Sequence, residues 1–91
     1  EPMALEDNVK KLKVPVLIIS GDADAPTLEH MITMFQLLGG GIMGDMDKPL
    51  SDSRLAIMPA TSHTAVITQI DLLKLFIEPF LKDEIPEGFF Q

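Results

Sequence analysis

Apolar residues along this chain alternate between two regimes, continuous runs and spacings of three to four. Met3 to Lys13 carries Leu5, Val9 and Leu12 on one helical face, which predicts a short first helix. Pro15 ends it, because the residue before a proline is pushed to extended backbone. Val14 to Ile19 is then unbroken apolar sequence and predicts a strand covered on both faces, as in a parallel sheet between helices. Pro15 is compatible with that strand because its first residues need not donate to the ladder. Leu28, Met31, Ile32, Phe35 and Leu38 return to the helical spacing and predict a helix to about Leu38, with Pro26 in its first turn and Asp24 or Ala25 near its cap. Gly39-Gly40-Gly41 stops it. Residues 39–53 read as a flexible loop rich in Gly and Asp.

Arg54 to Met58 predicts a second strand, and Thr68 to Lys82 a final helix. That helix is apolar nearly all round, with Ile70, Leu72, Leu73, Leu75, Phe76, Ile77, Phe80 and Leu81, so it is expected to be buried. Pro79 is expected to kink it or end its regular part. Asp83 to Gln91 forms an acidic tail in which Phe89 and Phe90 are available to dock. The fold class is therefore α/β: two parallel strands with flanking helices, in the order βαβα after a short helix. The crossover rule puts the carboxyl ends of both strands on one edge of the sheet.

Composition narrows the class. A chain of 91 residues has room for one core and reads as a single unit. Hydrophobic residues at 46% and charged residues at 23% describe an ordinary globular domain. Fourteen acidic against seven basic residues give a net charge of −7, so the average surface repels nucleic acid and anionic membrane, and neither is expected as a partner. The absence of cysteine excludes disulfides, thiolate catalysis and a cysteine zinc site. No apolar stretch is long enough to span a bilayer. Glu1-Pro2-Met3 opens the chain without a basic-then-apolar leader, which points to the cytoplasm.

Candidate chemistry sits where the two strands end. The first runs into Ser20-Gly21-Asp22-Ala23-Asp24, and the second into Pro59-Ala60-Thr61-Ser62-His63. Ligands of parallel sheets bind at the carboxyl ends of strands, so Asp24 and His63 are expected to converge. An acid that accepts from one imidazole nitrogen leaves the other free as a general base. Each residue also has a simpler reading, Asp24 as a helix cap and His63 as a loop histidine. His30 lies beside the apolar face of its helix and reads as a surface or packing residue. Asp22-x-Asp24 and Asp45-x-Asp47 have the spacing of metal pairs but lack the glycine and distal glutamate of a calcium loop, so no metal is implied. Gly39-Gly40-Gly41-x-x-Gly44 has a phosphate-loop look, yet it follows a helix and lacks the Gly-Lys-Ser/Thr ending. It reads as a helix stop and hinge, and no cofactor is implied.

Taken together, Val-Pro-Val-Leu-Ile-Ile-Ser-Gly-Asp-Ala-Asp and Leu-Ala-Ile-Met-Pro-Ala-Thr-Ser-His resemble the acid-bearing strand and the histidine strand of the α/β-hydrolase family, over roughly Leu12 to Lys82. By the Gly-x-x-Asp spacing the resemblance implies Asp24 as the family's acid, with Asp22 capping the turn, and His63 as its histidine. The family's Gly-x-Ser-x-Gly nucleophile elbow is absent from these residues. The resemblance thus implies the C-terminal portion of an esterase-like hydrolase with a small-molecule substrate, inactive by itself, whose nucleophile lies elsewhere. A stand-alone, non-catalytic interaction or regulatory module is the other reading. Because the first strand has one obvious partner strand and the final helix is so apolar, the chain is expected to form a homodimer or to associate with a missing N-terminal part.

Overall fold

The computed structural model describes residues 8–45 and 49–88. Two strands, β1 (Leu17–Ala23) and β2 (Arg54–Ser62), pair in parallel as an open two-stranded sheet. Helix α1 (Leu28–Leu37) lies between them in sequence, and α2 (His63–Val66) and α3 (Ile70–Leu81) follow β2. The arrangement is α/β. Of the expected first helix, residues 8–10 are helical and Met3 to Asp7 lie outside the described residues, as do Phe89 and Phe90.

Both strands differ from their sequence-based bounds. β1 begins at Leu17, not Val14, because the ladder starts only where Arg54 can reach it: the Arg54 amide donates to the Val16 carbonyl at 2.9 Å. Just before it the Val16 amide donates to Ser53 Oγ at 3.0 Å, so a side chain takes the place of a ladder partner. At the other end, pairing runs past the apolar residues into Gly21 and Ala23 on β1 and as far as Ser62 on β2. Turn-forming residue types thus sit inside the ladder.

They do so by way of a bulge. Gly21 pairs with Met58 and Ala23 with Ser62, so β1 advances two residues (21 to 23) while β2 advances four (58 to 62). Ala60 takes up the excess in the left-handed region, at φ 49°, a conformation that costs an L-residue about 1–2 kcal/mol. The loop of β2 then folds back over β1. A Cβ on Gly21 would overlap the backbone carbonyl of Thr61, so only glycine permits the two chains to close here. Thr61 itself is fully buried. Its amide donates to Asp22 Oδ1 at 3.2 Å, its hydroxyl donates to the Pro59 carbonyl at 2.7 Å, and that hydroxyl accepts from Gln69 Nε2 at 2.9 Å.

Burial is sparse. Val9 and Met58 are the buried apolar residues of the core among those described, joined by Ser20, Ser53 and Thr61. The expectation that the final helix is buried is overturned: no residue of α3 is buried, because a sheet of two strands is too narrow to cover a helix apolar nearly all round. Its inner residues Leu72, Leu73, Phe76 and Phe80 are half-covered, and the Arg54 guanidinium lies 5.7 Å from the centre of the Phe80 ring, within cation–π range. The radius of gyration is 14.0 Å, against roughly 12 Å for a compact chain of this length. No helix among the described residues is long and apolar enough to cross a membrane.

The helix ends are specified more tightly. α1 starts at Thr27, not at Asp24 or Ala25, and the Thr27 hydroxyl accepts from the His30 amide at 3.2 Å. It stops in a Schellman motif: the Gly39 amide donates to the Gln36 carbonyl and the Gly40 amide to the Phe35 carbonyl, with Gly39 at φ 94°. α3 ends by the same pair of bonds, from the Asp83 amide to the Phe80 carbonyl and the Glu84 amide to the Pro79 carbonyl. Pro79 lies within the last turn of α3, two residues before its end, and the helix passes it to reach Leu81. Here the left-handed residue is Asp83, at φ 56°, a carboxylate at a helix C-terminus.

Two substitutions test these assignments by denaturant unfolding. Asp83→Gly removes both the left-handed strain and the unfavourable charge–dipole contact, and should raise stability by about 1 kcal/mol. Gly21→Ala drives a methyl into the Thr61 backbone and should lower it by about 3 kcal/mol; an unchanged midpoint would mean that the bulge does not close over β1.

Candidate functional site

Asp24 and His63 are carried to one place by the carboxyl ends of β1 and β2. Asp24 is the first residue after β1, and His63 is the first residue of α2. Ser62 sets the direction in which the chain leaves the sheet: its backbone is extended, and its hydroxyl accepts from the Ala65 amide at 3.4 Å to start the helix. Gln69 braces the far side of this turn, donating from Nε2 to the Ala65 carbonyl at 3.0 Å as well as to Thr61.

The two side chains meet. His63 Nδ1 lies 3.0 Å from Asp24 Oδ1. With the carboxylate ionised, Nδ1 carries the proton and donates, which fixes the tautomer and leaves the Nε2 lone pair available. Their environments are unequal, for the Asp24 side chain is 6% exposed and that of His63 80% exposed. The acid is therefore held and the imidazole stands in water.

Asp24 is held by several contacts. Withdrawal from water pushes its pKa up, but the opposing influences win: the Ala25 amide donates to Oδ1 at 2.7 Å, the His63 ring donates to the same oxygen, the Gly21 amide lies close, and a protonated His63 adds its charge. The net result is a carboxyl held below the ordinary aspartate value. The Ser20 hydroxyl lies at 3.5 Å from Oδ2, at the outer limit of a hydrogen bond.

Asp22 takes a different task. Its Oδ1 binds the Thr61 amide, so it ties one strand end to the other and does not face the imidazole. His30 is exposed on α1, and its backbone amide donates to the Thr27 hydroxyl at the cap. No group of three His, Cys, Asp or Glu among the described residues is arranged to hold a metal ion; Asp47 lies outside the described residues. Thr61 and Gln69, which set the geometry of the histidine turn, carry no signal in the sequence pattern. Thr27 does, as a hydroxyl residue directly before a periodic run.

Beside the pair is an open cleft of about 370 Å³ lined by Ile19, Asp24, His63, Thr64, Val66 and Ile67. Its walls are mainly aliphatic and its polar groups come together at the imidazole, the usual constitution of a small-molecule site. Chemically, the arrangement can take a proton at Nε2 and stabilise the resulting imidazolium through the adjacent carboxylate.

Carbon-detected titration of Asp24 should give a midpoint below that of an unstructured aspartate, and His63→Ala should move it upward, because one of the hydrogen bonds and the charge are lost. A depressed folded pKa stabilises the fold at pH above the ordinary aspartate value. That contribution disappears as the pH falls through the folded midpoint. An Asp24 midpoint at or above the ordinary value would contradict the hydrogen-bonding scheme. No protein-family model, no curated protein and no solved structure matches this chain.

Proposed function

We propose that this chain is the acid- and histidine-bearing portion of an α/β-hydrolase-type enzyme acting on an ester or a related bond of a small molecule. The observation that carries the reading is the 3.0 Å contact between Asp24 Oδ1 and His63 Nδ1, at the carboxyl ends of adjacent parallel strands. Two loop residues with no shared task have no reason to be paired there, with one of them shielded and the other open beside an apolar cleft.

His63 is the catalytic base in this reading. A hydroxyl nucleophile attacks the carbonyl carbon of the ester as its proton passes to Nε2. The tetrahedral intermediate collapses when the imidazolium returns that proton to the leaving alkoxide, and water repeats the sequence on the acyl-enzyme. Asp24 is a positioning residue. It holds the tautomer and lowers the energy of the imidazolium without itself taking the proton. The nucleophile is not one of the two serine hydroxyls beside the pair. Ser20 Oγ is turned to the Gly21 carbonyl and Asp24 Oδ2, and Ser62 Oγ serves the Ala65 amide. It is supplied by polypeptide outside these 91 residues, together with the oxyanion-binding amides.

The test is hydrolysis of an activated ester. The 91-residue chain alone should be no faster than an equal concentration of imidazole. With the nucleophile-bearing polypeptide present, His63→Ala should lower kcat by about 10⁶-fold and Asp24→Asn by about 10⁴-fold, following the behaviour of established triads. Full activity in His63→Ala would exclude this function and leave the chain as a non-catalytic module.

A further inference from the structure

A second cavity lies away from the histidine, at the start of β2. Two chain reversals shape it. Where α1 stops, a Cβ on Gly40 would overlap the Phe35 ring, so the ring sits directly against bare backbone. Where α3 stops, the left-handed Asp83 turns the chain back, and the tail crosses to the loop after α1, where a Cβ on Gly88 would meet the Asp45 carboxylate. Between those two points the tail brings Ile85 and Pro86 to a pocket of about 260 Å³ whose other apolar walls are Phe35, Ile42, Leu50 and Leu55. An adjoining cleft of about 250 Å³ shares Arg54, Leu55 and Pro86 with it and continues to Leu17, Phe76 and Pro79.

Arg54 is the single charged residue lining either cavity. In a chain with fourteen acidic and seven basic residues that is unexpected, because a half-buried guanidinium ordinarily recruits a carboxylate. No carboxylate of the described residues lies within ion-pair distance of it. Its contact is with the Phe80 ring, 5.7 Å away, and a ring steadies a guanidinium while leaving its N–H groups unspent. The serines of the wall are already committed to the scaffold. Ser51 Oγ donates to the Leu38 carbonyl at 3.3 Å, and Ser53 Oγ accepts from the Val16 amide at 3.0 Å.

We propose that this cavity binds a small monocarboxylate with an aliphatic body, Arg54 taking the carboxylate and Leu55, Ile85 and Pro86 the hydrocarbon. The planar guanidinium fork matches a carboxylate in two parallel hydrogen bonds. One cation balances one negative charge, whereas a phosphate dianion would leave uncompensated charge beside apolar walls in a protein already at −7. The volume lies just under the ~300–1,000 Å³ of typical ligand pockets, so it admits a small molecule and not a helix or a strand. Position separates this site from the function proposed above. Arg54 opens β2, while Asp24 and His63 follow the carboxyl ends of the strands, so polypeptide bringing a nucleophile to His63 arrives at the other end of the sheet.

The test is an NMR titration of the isotopically labelled chain with hexanoate, hexanamide and inorganic phosphate as probes. Hexanoate should move the Arg54 Nε–H signal and the Leu55 and Ile85 methyl signals, with half-saturation at about one-tenth the concentration hexanamide requires, the worth of one charge-assisted pair. Phosphate at the same concentrations should leave those methyl signals in place. Arg54→Gln, with its circular dichroism retained, should bind hexanoate no better than hexanamide. Because that variant could fail by unfolding, the comparison of acid with amide on the wild-type chain decides the matter independently. Equal half-saturation by acid and amide would overturn the proposal, as would phosphate binding as tight as that of hexanoate. So would hexanoate shifts centred on Val66 and Ile67 in the histidine cleft, or no shift with hexanoate at all.

Discussion

The close approach of Gly21 to the Thr61 backbone is the constraint on which the site depends. Without a side chain at 21, β2 can carry four residues across a space where β1 carries two, and the surplus folds inward instead of away from the sheet. That inward fold buries Thr61, whose amide and hydroxyl then become the fixed points for Asp22, Pro59 and Gln69. His63 comes two residues later. Its position is therefore set by a backbone contact between strands and not by the loop that carries it, and the left-handed Ala60 is the local cost of that arrangement.

How much of this was legible in the sequence varies with the kind of information involved. The convergence of Asp24 and His63 followed from two apolar runs and one intervening helix, because parallel pairing leaves a single edge for both strand ends. The strand limits did not follow. Ser20-Gly21-Asp22 and Pro59 are turn formers by type, and the tertiary contact between Gly21 and Thr61 keeps both segments in the ladder. The roles of Thr61 and Gln69 were illegible for the same reason, since their hydrogen bonds exist only once the bulge is formed.

The final helix illustrates a different limit. Its apolar residues state that the helix needs covering on all sides, and the pattern carries that information faithfully. What covers it depends on the number of strands beside it, and two strands leave every residue of it at least partly exposed. Hydrophobic periodicity reports demand, and the supply of neighbouring surface is a property of the whole assembly. The paired helix stops show the contrast within one molecule. The glycine-rich end of α1 announces itself, whereas α3 makes the same two hydrogen bonds with an aspartate in the left-handed position.

The unequal exposure of the acid and the imidazole has a kinetic meaning. A side chain as open as that of His63 samples rotamers on the picosecond to nanosecond scale, and the hydrogen bond to Asp24 restrains it. Any body that roofed the cleft would restrict that motion in advance. The pair resembles a hinge with one leaf nailed down, the carboxylate held and the imidazole left open to whatever covers it.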